Sequence, residues 1–62
     1  MNENDFIGLT KKGAQQLAEK NNLIFRIISV DGVAMFSYPT DVRTDRICIE
    51  MNRGEVIVAK LQ

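Results

Sequence analysis

Tyr38 to Ile49 reads YPTDVRTDRICI, and these twelve residues decide how the rest of the chain is arranged. The stretch runs from a polar segment with neither helical nor strand periodicity into the alternating pattern Ile47-Cys48-Ile49. Pro39 fixes its own φ at about −65° and so limits the backbone. Asp41, Arg43, Asp45 and Arg46 supply opposite charges that can tie the segment to its own base. A stretch of this kind in so short a chain is usually functional or disordered. The proline and the paired charges favour an ordered, functional loop that opens onto a strand.

Composition sets the limits around that loop. A chain of 62 residues makes one domain (residues 1–62), at a size where about 60% of the unfolded surface is buried and the core is small. Hydrophobic residues at 45% and charged residues at 26% place it among folded domains, away from the disordered class. Lys plus Arg and Asp plus Glu are both 8, so no basic excess exists to neutralise phosphates, and nucleic acid is not the expected partner. The chain has no histidine and one cysteine, Cys48, which excludes histidine catalysis, an intrachain disulfide and an ordinary zinc site. No cofactor is expected, and no enzyme activity either, because Asp41 and Asp45 have no second catalytic element to work with. The start MNENDFIGL is too polar for a secretory signal, and no apolar run approaches the roughly 18 residues of a membrane span. No membrane partner is expected, and a cytoplasmic location follows if the chain is the full translation product.

Residues 1–5 are polar and expected to fray, with Phe6, Ile7 and Leu9 the first core candidates. Thr10 is placed to cap a helix from Lys11 to about Lys20, with Leu9 and Ala14 set for a hydrophobic staple and Ala14, Leu17 and Ala18 as its apolar stripe. Gly13 stands where a capping-box glutamate would, and Lys11 and Lys12 oppose the helix dipole, so packing must hold this helix. Asn21-Asn22 ends it. Leu23 to Val30 is β-branched and aromatic and reads as a central strand. Asp31-Gly32 is a turn, and Val33 to Phe36 extend briefly beyond it. Ile47, Ile49 and Met51 alternate with Cys48 and Glu50 as a half-buried strand. Asn52-Arg53-Gly54 suits a hairpin with positive φ at Gly54, and Glu55 to Leu61 forms the last strand. That strand sets Val56 and Val58 on one face and Ile57, Ala59 and Leu61 on the other. The fold class is α+β: a single helix packed on a small mixed β-sheet with a long extended binding loop. Ile24, Ile28, Ile57 and Leu61 are candidates for the second sheet face, covered by loops and the N-terminal arm or else by a partner, including a second copy in a homodimer.

The element order and the run Pro39-Thr40-Asp41-Val42-Arg43-Thr44-Asp45-Arg46-Ile47 resemble the potato type I family of serine-protease inhibitors, in particular its small microbial branch. Gly8-Leu9-Thr10, Val30-Asp31-Gly32 and Asp45-Arg46-Ile47 carry the resemblance from about Ile7 to Leu61. It implies that the loop is held extended and offered to a serine protease as an added strand, resisting turnover because it is already ordered in the bound shape. Thr40 would take the primary specificity position and Asp41 would follow the attacked bond. Tyr38 and Pro39 would lie on the acyl side, with Val42 and Arg43 on the leaving side. Asp41 would be supported from below by Arg46 through a charge-assisted contact. A small β-branched Thr40 suits a subtilisin- or elastase-like enzyme.

Two positions depart from the family pattern: Cys48 stands where a second supporting arginine falls, and Pro39 replaces the threonine common before the specificity residue. The residues also fit a second reading, a cytoplasmic protein-binding module with the same fold and a target other than a protease. Asp41 with Arg46 is also readable as a tie that only orders the loop, Asp45 as a cap of the strand start or a solvent-exposed partner of Arg43, and Cys48 as a small apolar filler.

Overall fold

A computed structural model describes residues 2–41 and 43–62. The helix α1 spans Lys11–Lys20 and begins as its sequence requires: Thr10 is extended, and its hydroxyl accepts from the Gly13 N–H at 3.2 Å. At the other end the Asn21 side-chain amide donates to the Leu17 carbonyl at 2.9 Å, and Asn22 turns the chain with φ of 57°. Ala14 and Ala18 are fully buried, and side chains this small let the helix lie close on the sheet. No helix among the described residues is long and apolar enough to cross a membrane.

Four strands follow, β1 (Ile24–Val30), β2 (Val33–Ala34), β3 (Arg46–Asn52) and β4 (Glu55–Leu61), in the spatial order β2-β1-β3-β4. β1 and β3 run parallel with Ile24 opposite Arg46, while β2 and β4 add antiparallel at either side. The fold is therefore α+β, one helix on one face of a small mixed sheet. Both antiparallel connections are two-residue turns with positive φ at both positions: 52° and 80° at Asp31-Gly32, and 53° and 79° at Arg53-Gly54. Such turns match the right-handed twist of the strands they join. They lie at the same end of the sheet, where Asp31 Oδ1 accepts from the Arg53 N–H at 2.7 Å. The parallel pair needs a different connection, because the chain must return from the end of β1 to the start of β3. Residues 31–45 make that return, without a helix among those described, and the segment from Tyr38 to Asp45 is its last part.

Five expectations are corrected by this arrangement. β3 is not half-buried: Ile47, Cys48 and Ile49 are all inaccessible, because α1 covers one face of this central strand and the crossing loop covers the other. β4 does not alternate simply, since a bulge lets Met51 pair with Val56 and Glu50 with Val58 and pushes Ile57 outward. Val56, Ala59 and Leu61 consequently share the core face. The four supposed second-face residues are dispersed: Leu61 packs on the core, Ile28 is buried at a bulge in β1, and only Ile24 and Ile57 are exposed. β2 stops at Ala34, after which the Met35 and Phe36 N–H groups both donate to the Ile28 carbonyl. The N-terminal arm is not frayed over its described residues. Glu3–Phe6 form a 3-10 turn capped by Asn2, Phe6 is fully buried, and the Glu3 carboxylate accepts from the Leu61 N–H at 2.7 Å.

The core on the helix face joins Phe6, Ala14 and Ala18 to Ile47, Ile49 and Met51 of β3 and to Val56 and Ala59 of β4. Because Asp31 both occupies a left-handed conformation and bonds the neighbouring turn, Asp31→Ala is expected to destabilise the protein by about 1–2 kcal/mol. Asp31→Asn should lose clearly less, since asparagine tolerates positive φ and keeps an acceptor. Urea midpoints of the three proteins at equal m-value check this order.

Candidate functional site

The loop rests on the sheet face opposite α1, where strand alternation places Arg46, Cys48 and Glu50 of β3. Glu50 lies between Ser29 of β1 and Val58 of β4 in the ladder. Its carboxylate accepts from the Ser29 hydroxyl at 3.1 Å through Oε1 and from the Tyr38 hydroxyl through Oε2. Burial, and then the bond to Glu50, push the Tyr38 hydroxyl well above the usual phenol range, so it stays a donor. The Lys60 ammonium sits 5.2 Å from the centroid of the same ring, within reach of its negative face. Tyr38 is thus an anchor turned onto the sheet.

The downstream anchor is Arg46, the first residue of β3 and only 8% exposed. Its Nε and Nη2 donate to the main-chain oxygen of Gln62 at 2.9 and 2.7 Å, whereas Nη2 reaches the main-chain oxygen and Oδ1 of Asp41 at 3.3 Å each. These distances rank the contacts: the guanidinium grips the end of β4 firmly and the loop more loosely. Gln62 passes the support on, since its side-chain amide donates to the Pro39 carbonyl at 3.3 Å. The contact with Arg46 is the main cause that holds the Asp41 carboxyl below the usual aspartate range. Asp41 is largely in solvent, so the charge attraction there is screened and the tie is chiefly geometric.

Arg43 and Asp45 form a third contact, a two-pronged pair with Nε to Oδ1 at 2.8 Å and Nη2 to Oδ2 at 2.7 Å. It lowers the Asp45 pKa and raises that of Arg43, and it braces the bend that enters β3. Thr40 is exposed between two residues held from below, Pro39 through its carbonyl and Asp41 through its carboxylate and carbonyl. No hydrogen bond joins its side chain to another described residue. Val42, expected on the leaving side, lies outside the described residues.

The structure therefore brings Asp41 to Arg46, the pair that the resemblance implied, and Arg43 to Asp45, one of the two readings open for that aspartate, and leaves Thr40 at the outer surface. Sequence reasoning missed Ser29, Glu50, Lys60 and Gln62. One signal was available: Arg46, Cys48 and Glu50 at every second position give β3 a face with two charged groups, which a face turned to a dry core would not carry.

Two outcomes follow from these anchors. Tyr38→Phe removes one of the two donors to Glu50 and should lower stability by about 1 kcal/mol, with faster amide exchange at Thr40 and Asp41 as the accompanying sign. The Asp41 tie is fully present above the unfolded aspartate pKa of about 3.9 and is lost as pH falls through the lowered folded value. A carboxyl-carbon NMR titration should find the Asp41 midpoint below about 3.9, and Arg46→Met should bring it back towards that figure. Comparison of the chain with protein-family models, curated proteins and solved structures finds no match.

Proposed function

We propose that this protein inhibits a serine protease by presenting Tyr38 to Arg43 as a substrate-like segment, in the manner of the potato type I inhibitors that its sequence resembles. The observation that carries the reading is the exposed Thr40 standing between residues held on both sides from the sheet, Pro39 by Gln62 and Asp41 by Arg46. A loop held in this way loses little conformational entropy when an enzyme closes on it. If the Thr40–Asp41 bond is cut, the same contacts keep the new ends near each other, so rejoining competes with release. Tyr38 contributes from within, by fixing the upstream arm through Glu50, and Arg43 with Asp45 does so at the exit. The small side chain of Thr40 fits a shallow specificity pocket of the subtilisin or elastase kind.

The 3.3 Å reach from Arg46 to Asp41 favours a second reading. A loop held this loosely also suits docking onto a protein target that does not cleave it.

Residual activity of subtilisin, elastase, chymotrypsin and trypsin, read together with mass spectrometry of the Thr40–Asp41 bond, separates the two. Inhibition of subtilisin or elastase with that bond largely intact after hours is the expected result, with trypsin unaffected. Thr40→Leu should then tighten inhibition of subtilisin by about tenfold, or 1.4 kcal/mol. Rapid cleavage of the loop, or full activity of all four enzymes, overturns inhibition in favour of the second reading.

A further inference from the structure

The edge of β1 and the cleft beside it take no part in the loop. Ile24 to Ile27 pair with β3 on one side, and among the described residues no strand pairs with them on the other, since β2 meets only Ser29 and Val30. The Ile24 N–H donates to the Asp45 carbonyl at 2.7 Å, towards β3. The period of two then turns the N–H and C=O of Phe25 and Ile27 to the open edge. The opposite edge of the sheet is met at both of its ends instead: the Gly8 N–H donates to the Val56 carbonyl and the Val56 N–H to the Leu9 carbonyl, both at 2.8 Å, and the Leu61 N–H is taken by Glu3.

Along the open edge runs a cleft of about 720 Å³ between α1 and the residues that follow β2. Phe25, Ile27, Val30 and Met51 form its apolar floor, and Met35 and Phe36 its wall. These two wall residues are 58% and 57% exposed, and Val33 nearby is 67% exposed, so the largest apolar exposures among the described residues gather here. The charged groups that line the cleft are Lys11 and Arg26, with the Arg26 guanidinium 5.6 Å from the centroid of the Phe36 ring. No described carboxylate lines it.

We infer that the β1 edge and this cleft receive an extended segment of a partner protein, one that alternates apolar side chains with carboxylates. The open N–H and C=O groups of Phe25 and Ile27 add the segment to the sheet as a fifth strand, and the cleft takes its apolar side chains. Lys11 and Arg26 set the sign of the charges it must carry. Charge also decides against a second copy of this chain. A two-fold contact sets the same patch against itself, bringing Arg26 and Lys11 towards their own equivalents with no carboxylate between them. None of the described residues from Tyr38 to Arg43 lines the cleft, so this surface is separate from them.

The probe is an acetylated and amidated hexapeptide of alternating glutamate and valine, titrated into the ¹⁵N-labelled protein against the same peptide with lysine for glutamate. The glutamate peptide is expected to shift the amide resonances of Phe25, Ile27, Met35 and Phe36 and to slow hydrogen exchange at Phe25 and Ile27. The lysine peptide should bind at least about tenfold more weakly, and Arg26→Glu should reverse the preference. Three results overturn the inference: no shift at Phe25 and Ile27 with either peptide at millimolar concentration, equal binding of the two peptides, or a dimer by sedimentation whose formation protects those same amides. All three can be read whether or not the protein inhibits a protease.

Discussion

Parallel pairing of β1 with β3 is the constraint on which the rest of the structure depends. It obliges the chain to travel the length of the sheet between Val30 and Arg46, and in most folds a helix makes that journey. Here the described residues of the return beyond Ala34 form neither helix nor strand. Its order must come from side chains of the sheet beneath it. Both main anchors stand on β3, at Arg46 and Glu50, four residues or about 13 Å apart on one face. The loop is strung between two points of a single buried strand.

The two faces of the sheet are thus built on different physics. On the helix side, apolar side chains from Phe6 to Ala59 exclude water and need no particular partner. On the loop side, a buried guanidinium and a carboxylate must each be satisfied by name, and among the described residues no buried side-chain nitrogen or oxygen is left without a partner. The acceptors for Arg46 are largely backbone oxygens, from Gln62 and Asp41, whose positions do not depend on a rotamer. That arrangement holds the loop against the sheet while leaving the side chains of Thr40 and Arg43 in solvent.

Local rules were the legible part of the sequence. Thr10 before the helix, Asn21 after it, and the Asp31-Gly32 and Arg53-Gly54 turns all signal through single-residue chemistry, and each stands where that chemistry placed it. The bulges at Ile28 and Ile57 were not legible, because an extra residue in one strand is defined only by its partner strand. One inserted position was enough to move Ala59 and Leu61 to the face shared with Val56. The site divides in the same way. Asp41 with Arg46 and Arg43 with Asp45 are near neighbours in sequence and could be paired by sign. Tyr38 with Glu50 and Pro39 with Gln62 join distant residues, and only the crossing of the loop over β3 brings them together.

Cys48 lies on the loop face midway between the two anchors, is fully buried, and is the only thiol in the chain. An alkylating reagent cannot reach its sulfur while the loop lies on the sheet. The rate of modification under native conditions therefore counts how often the loop lifts, or the protein opens further. This buried thiol makes the loop's motion measurable, with no label introduced and no residue changed.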